Sequence, residues 1–321
     1  MKRYKYRIYV CIKYLEKDKE FINKLKKISD DITIHPSYSR PTKKELCDIV
    51  KNYDIVICGV KEVFDEKIAN CVKRLKIIAT LSTGIDHIDV ELFKRIGVKI
   101  VSLPHSNAIS VAEHTWALIL GLSKNLLEAN QSCLQGKGRR GLSRRPIELY
   151  GKTIGIIGAG PVAYNVARIA KGFSMNILVW TLHPDKHKEF LKLGARFVNN
   201  LKDIFKNSDI ITVNIKLSET TRNIITRDVI KEVTKPIILI NTSREGIIEL
   251  GAIAWGLKHG YILACGLDVF YEEEKAELLK YANRVILTPH IAGLSKEAIR
   301  RMRDDLVNEL RKAIAGTVSK R

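Results

Sequence analysis

Thr153-Ile154-Gly155-Ile156-Ile157-Gly158-Ala159-Gly160-Pro161-Val162-Ala163 opens a segment, running to Trp180, whose reading decides the fold. Ile154-Gly155-Ile156-Ile157 is a short apolar run of the kind a buried parallel strand shows. Beyond the glycines, Ala163, Ala167 and Ala170 recur at i, i+4 and i+7, so a helix here has one face small enough to lie close on a sheet. Asn176-Ile177-Leu178-Val179-Trp180 supplies a second strand. Gly158 permits a tight turn, Gly160 lets the backbone approach a pyrophosphate, and the helix N-terminus turns free N–H groups toward that anion. Ala163 fills the third small position, which the pattern tolerates. Strand, turn, helix and strand in this order read as a dinucleotide-binding unit, with Gly158, Ala159, Gly160, Pro161 and Val162 at the phosphates.

Outward from that unit the chain keeps alternating. Strands are expected at Tyr6–Ile12, Asp54–Cys58, Leu75–Leu81 and Val98–Val101, with helical segments between them. A long amphipathic helix is expected over Ser110–Cys133, led by Ser110 as N-cap, and a Gly- and Arg-rich loop over Gly136–Arg145. Later strands are expected at Ile210–Ile215, Pro236–Ile240, Ile262–Leu267 and Val285–Leu287. A last helix, Ser295–Ala315, has Ile299, Met302, Leu306, Leu310 and Ile314 on one stripe. The class is α/β, and 321 residues suffice for two domains.

Composition narrows the function classes. No apolar run approaches the about 20 residues that span a bilayer. The basic start, Met1 to Arg7, has no apolar core or cleavage site of a signal peptide, so the cytoplasm is the expected location. Six cysteines, Cys11, Cys47, Cys58, Cys71, Cys133 and Cys265, show no C-x-x-C pair and no neighbouring His cluster. They are expected to be free thiols, with neither disulfide nor metal site. The formal charge of +20 favours anionic ligands. The densest basic cluster, Lys137-Gly138-Arg139-Arg140 with Arg144 and Arg145, lacks interleaved aromatic residues, so no specific nucleic-acid partner is expected.

Three residues of the second half share a placement. Arg244 follows the strand ending Ile240-Asn241-Thr242-Ser243, Glu273 follows Gly266-Leu267-Asp268-Val269-Phe270, and His290 follows Val285-Ile286-Leu287-Thr288-Pro289. The carboxyl ends of parallel strands face the ligand crevice, so all three can point into one cleft.

Here the chain resembles the D-isomer-specific 2-hydroxyacid dehydrogenase family, enzymes that interconvert 2-oxoacids and D-2-hydroxyacids with nicotinamide cofactors. The resemblance runs over most of the chain. It is carried by Ser82-Thr83-Gly84-Ile85-Asp86-His87-Ile88-Asp89, Asn107 with Val111-Ala112-Glu113-His114, the glycine turn, Asn241-Thr242-Ser243-Arg244, Gly266 to Phe270 with Glu273, and Thr288-Pro289-His290-Ile291. It implies two Rossmann-like, doubly wound parallel-sheet domains. The nucleotide domain, 103–292, is inserted into a flavodoxin-like substrate domain, 1–102 and 293–321. By resemblance, Arg244 holds the substrate carboxylate and polarises the 2-oxo oxygen, and His290 is the proton donor and acceptor. Glu273 hydrogen-bonds the far imidazole nitrogen. Thr83 and Gly84 cradle the carboxylate through their amides, Asn107 lies near the nicotinamide, and Thr242 joins the cofactor contacts. Asp268 contacts the carboxamide or orders its own loop. A homodimer through Ser106–Arg145 is implied as well.

Departures from the family pattern refine the expectation. Thr181 stands where NAD-using members carry an Asp for the ribose hydroxyls, and His183, Lys186 and Lys188 follow. NADP(H) is therefore the preferred cofactor, with NAD(H) possible, since Asp185 also lies close by. Glu245 follows Arg244 where Gly is usual, Glu274 replaces a Pro, and Lys216 replaces another Pro near the adenosine. Cys58-Gly59-Val60 stands where phosphoglycerate-oxidising relatives tend to carry an Arg. The expected activity is reduction of a small 2-oxoacid to a D-2-hydroxyacid, with glyoxylate or hydroxypyruvate as substrate. The alternatives are a phosphoglycerate dehydrogenase, or a nucleotide-sensing, corepressor-like binding protein of the same fold.

Overall fold

Short strands of two to six residues, most of them hydrophobic runs, build two parallel sheets. The computed structural model describes residues 6–318, so the basic stretch read at residues 1–5 lies outside the described part. The chain divides into two compact units, 6–107 with 296–318, and 108–295.

Unit 1 begins with β1 (Ile8–Val10), α1 (Lys19–Lys26), β2 (Ile32–Ile34), α2 (Lys43–Asn52) and β3 (Ile55–Cys58). It continues through α3 (Glu66–Ala69), β4 (Ile77–Thr80), α4 (Val90–Arg95) and β5 (Lys99–Val101). Its sheet has the order β2-β1-β3-β4-β5, with every pair parallel, which is the flavodoxin-like arrangement.

Unit 2 begins with α5 (Ala108–Ser123), α6 (Leu126–Leu134), β6 (Thr153–Ile157), α7 (Pro161–Gly172) and β7 (Asn176–Trp180). Next come β8 (Arg196–Phe197), α8 (Leu201–Asn207), β9 (Ile210–Val213), α9 (Arg227–Ile230) and β10 (Ile237–Asn241). It closes with α10 (Ala252–Lys258), β11 (Ile262–Leu267), α11 (Lys275–Leu279) and β12 (Val285–Leu287). Its sheet runs β12-β11-β10-β9-β6-β7-β8, again all parallel.

Both sheets are covered on both faces, which explains why their strands read as unbroken apolar runs rather than as alternation. In unit 2, α5 and α7 pack Trp116, Ile119, Ala163 and Ala167 on one face, and Ile204, Phe205, Ile253 and Leu257 pack on the other. The final helix, α12 (Lys296–Val318), returns to unit 1 and buries Met302, Leu306, Leu310 and Ile314 against Ile8, Val10 and Phe21. Its stripe is the one read from the sequence.

Two expectations are corrected. The helix expected over Ser110–Cys133 is two helices, broken at Asn125, whose φ of +56° no right-handed helix accommodates. The buried Asn125 side chain donates to Glu128 and to the Arg144 carbonyl, which holds that break. Ser110 is no cap; it lies inside α5, buried, donating to the Ala292 carbonyl at 2.7 Å. The cysteines are not all free either. Cys47 on α2 is bonded to Cys71, just beyond α3, across 24 residues and a Cα–Cα distance of 5.4 Å. This contact is made by packing of the two helices, so no local spacing announces it. Cys58 and Cys265 are buried thiols within β3 and β11, and burial pushes both well above the ordinary thiol range. Among the described residues, no helix is long and apolar enough to cross a membrane.

Candidate active site

The glycine turn sits where the strand order of unit 2 reverses. The chain leaves β6 for β7 and β8, then returns to place β9 on the other side of β6. The Gly158 N–H donates to the Trp180 carbonyl at 2.8 Å, and its φ is +102°. A Cβ there would lie 2.6 Å from the Ile215 nitrogen and 2.7 Å from its Cα, so only glycine fits. Gly160 caps α7 in an extended conformation, and nothing lies within 4 Å of where its Cβ would stand. That open space faces the first turn of a 12-residue helix. Pro161 has no N–H to leave unpaired, so Val162 and Ala163 present the first free amides. Beside the turn, Asn214 accepts from Thr212 at 2.8 Å, while its buried Nδ2 takes no partner among the described residues. Ala159 is buried behind the turn. An open cradle, free helix-end amides and a spare donor fit a dinucleotide pyrophosphate.

The other residues expected at a cofactor are spread around this turn. Thr181, half-buried, ends β7 and leads into exposed His183, Asp185, Lys186 and Lys188, none in an ion pair among the described residues. Lys216, exposed beyond β9, is likewise uncommitted in its side chain. Thr242 is different. It is buried, and its hydroxyl donates to Thr115 of α5 at 2.9 Å, while Thr115 donates to the Val111 carbonyl at 2.8 Å.

Arg244, Asp268 and His290 follow β10, β11 and β12, three adjacent strands. Buried Asn241 clamps the Arg244 turn at both ends: Oδ1 accepts the Ser243 N–H at 3.0 Å and Nδ2 donates to the Arg244 carbonyl at 3.0 Å. Ser243 ties that turn to the Ile215 carbonyl at 2.5 Å, and Arg244 is left half-buried. Asp268, 2% exposed, organises the His290 turn. Oδ1 accepts from the Thr288 hydroxyl at 2.6 Å and the Ile291 N–H at 2.9 Å, Oδ2 from the Ala292 N–H at 2.9 Å. The Asp268 carbonyl takes the His290 N–H at 3.0 Å. His290 itself is exposed, at φ +56°, a left-handed conformation that this hydrogen-bonded turn imposes. Of the two roles expected for Asp268, its carboxylate is thus engaged in ordering the loop.

One contributor carries no role in the motif reading. His114, on α5, places Nε2 3.0 Å from Thr288 Oγ1 and 3.6 Å from Asp268 Oδ1. The Thr288 proton goes to Asp268, so its oxygen accepts from the His114 N–H. Across 174 residues, only its place beside Glu113 in the quoted motif pointed to it.

Glu273 is exposed on the short turn Glu272–Glu274, and no hydrogen bond joins it to His290. The buried carboxylate of that run is Glu274, which accepts the Ala254 N–H at 3.0 Å. Gly251 offers no side chain to cap α10, so Glu274 does it from outside. Burial pushes the Glu274 carboxyl up, and the α10 amides partly offset that.

In unit 1, Thr83 and Gly84 are half-buried beyond β4. Ser82 donates to the Gly84 carbonyl at 2.6 Å and lies 2.7 Å from Thr80 Oγ1, which is 3.3 Å from His87 Nε2. This polar chain fixes the turn whose amides were expected to hold a carboxylate. Asn107, half-buried, is the last residue before α5.

Comparison with known proteins finds relatives of this chain. Residues 116–292 match the family model described as D-isomer specific 2-hydroxyacid dehydrogenase, NAD binding domain. The chain is 32% identical over 281 residues to the glyoxylate reductase of Aeropyrum pernix, covering 85% of this chain and 83% of that protein. It is 34% identical over 277 residues to the hydroxypyruvate reductase of Thermotoga maritima, covering 85% and 88%. The D-3-phosphoglycerate dehydrogenase of Methanocaldococcus jannaschii is 34% identical over 87% of this chain, which spans only 53% of that relative's length. Among solved structures, an acyclic imino acid reductase in complex with NADPH and D-Arg superposes with a TM-score of 0.86, at 27% identity and 97% coverage of both chains. The D-lactate dehydrogenase of Aquifex aeolicus with NAD and lactic acid gives 0.83 at 25% identity, covering 97% of this chain and 96% of the other.

Proposed function

The chain belongs to the D-isomer specific 2-hydroxyacid dehydrogenase family, and from that premise we propose that it reduces a small 2-oxoacid, glyoxylate or hydroxypyruvate, to the D-2-hydroxyacid. The observation that carries this reading is the turn held by Asp268, which presents His290 two strand ends from Arg244. The nicotinamide, when bound, supplies the hydride that goes to C2. Arg244 offers a permanently charged fork to the substrate carboxylate and draws charge toward the 2-oxo oxygen. His290 gives its proton to the oxygen as C2 is reduced, and takes it back in the reverse direction. Glu273 holds the second imidazole nitrogen in the working arrangement. Both side chains are exposed, so that pairing disturbs no core contact.

NADP(H) is the preferred cofactor in this reading. Thr181 brings no charge against a 2′-phosphate, and the uncommitted cations of His183 (when protonated), Lys186 and Lys188 follow it. A homodimer accounts for α6, which leaves Leu126, Leu127 and Leu134 more than half exposed.

The test is oxidation of NADPH and of NADH by the purified protein with glyoxylate, hydroxypyruvate, pyruvate and a branched 2-oxoacid. His290→Asn is the informative variant, because Asn tolerates the left-handed backbone. It is expected to lower kcat by about 10²–10⁴-fold while leaving the thermal midpoint in place. Thr181→Asp is expected to move the preference to NADH by about tenfold or more. Tight nucleotide binding without turnover of any 2-oxoacid would overturn the reading in favour of a sensing protein.

A further inference from the structure

In unit 1, the turn after β1, the start of α1 and the early turns of α12 enclose a groove of about 510 Å³. Every residue lining it belongs to this unit. Five cations and three carboxylates line it, and they are unevenly committed. Arg303 of α12 pairs with Asp18, the N-cap of α1, whose other oxygen accepts the Phe21 N–H at 2.9 Å. Lys24 of α1 pairs with Glu20 at 2.5 Å and with Asp304 of α12 at 2.6 Å. Two cations thus answer all three acids, and the same pairs brace α1 against α12 above the core of Phe21, Met302 and Leu306. The remaining three cations, Lys17, Lys19 and Arg300, are exposed and make no ion pair or side-chain hydrogen bond among the described residues. Tyr14, more than half exposed, lines the same groove and adds a hydroxyl donor. Three uncompensated positive charges around one concavity repel one another and focus their field on it, and a bound anion relieves that repulsion.

We propose that this groove binds a diphosphate group, which gives unit 1 an anion site of its own, separate from the dinucleotide cradle at Gly158 and Gly160 of unit 2. A terminal phosphate carries a charge of about −1.5 to −2 near neutral pH, so a diphosphate, with one more ionised group, matches three free cations. Arg300 offers a planar fork to two phosphate oxygens, and Lys17 and Lys19 act as point charges. A singly charged anion leaves most of the repulsion in place. Inorganic pyrophosphate and a nucleoside diphosphate share this chemistry. The Tyr14 ring also gives a base a face to stack on, so the nucleotide is the tighter of the two. The site stands whether or not the chain reduces a 2-oxoacid.

The test is calorimetric titration of the whole protein with inorganic pyrophosphate and, separately, with ADP, at fixed ionic strength. The protein is first saturated with whichever of NADPH and NADH binds more tightly, so that the cradle of unit 2 is filled. Lys17→Gln, Lys19→Gln and Arg300→Gln are combined in one variant. Lys27→Gln, Lys44→Gln and Lys73→Gln form its control, since these three are exposed on the same unit, outside the groove, and their loss lowers the net charge equally. All six side chains are exposed, so both variants are expected to fold. The groove variant is expected to raise Kd for the diphosphate by about tenfold or more, and the control to leave it within about twofold. Binding of both titrants with this pattern upholds the site, and binding of ADP alone upholds it with a nucleotide as the source. Equal weakening in the two variants would reduce the effect to general charge and overturn the proposal. So would failure of the unsubstituted protein to bind either titrant.

Discussion

Asp268 collects three hydrogen bonds on one buried carboxylate and a fourth on its own carbonyl, and the turn that carries His290 depends on all of them. Asn at this position keeps one acceptor oxygen but turns an NH₂ toward backbone N–H groups, leaving at least one donor unpaired. Asp268→Asn is therefore expected to cost about 1–3 kcal/mol in urea unfolding and to lower kcat more than it raises KM. An unchanged kcat would show that the turn does not position the reacting group. At this scale the sequence was legible where a residue type is tied to a strand end, as for Arg244 and His290. It was opaque where the partner is remote. His114 reaches Thr288 across 174 residues, and which of Glu272 to Glu274 is buried follows from where α10 begins, which no spacing records.

Between elements, the covalent tie from α2 to the end of α3 closes a long loop of unit 1. A cross-link over 24 residues restricts the unfolded chain and contributes about 3 kcal/mol in the loop-entropy picture. Reduction, or Cys47→Ser, is expected to lower the calorimetric midpoint of the transition belonging to unit 1. Identical midpoints with and without reductant, with both thiols shown free by alkylation, would mean that the tie contributes nothing. The β6-α7-β7 unit was legible because its apolar runs, glycines and alanine spacing all point to one structure. β2 and β8 were not, since strands of three and two residues leave too little pattern to read. The break between α5 and α6 was hidden because a single Asn among helix-forming neighbours does not declare a left-handed conformation.

Across the whole molecule, each unit anchors the entry to a strand with an aspartate. Asp54, before β3, accepts the Arg7 N–H at 2.9 Å and pairs with Arg74 and Lys76; Asp209, before β9, accepts the Thr153 N–H at 2.9 Å and pairs with Lys235. Burial alone would raise both carboxyls, but these amides and cations outweigh it and hold both below the usual carboxylate range. A depressed folded-state value contributes stability that is complete above the unfolded value, about 3.9, and is lost as pH falls through the folded one. Urea midpoints are thus expected to fall steeply below about pH 4, and Asp54→Asn with Asp209→Asn to flatten that limb while lowering stability at pH 7. An unaltered limb in the double variant would place the acid sensitivity elsewhere. Glu274, raised by burial, acts in the opposite sense and opposes part of this slope. The two-sheet architecture was legible at this scale because α/β alternation runs through nearly the whole sequence. The most direct test of the account is transfer of label from NADPH carrying deuterium at both C4 positions to hydroxypyruvate, read by mass spectrometry and chiral chromatography. The account predicts D-glycerate with one deuterium at C2; L-glycerate, or no deuterium in the product, would contradict it.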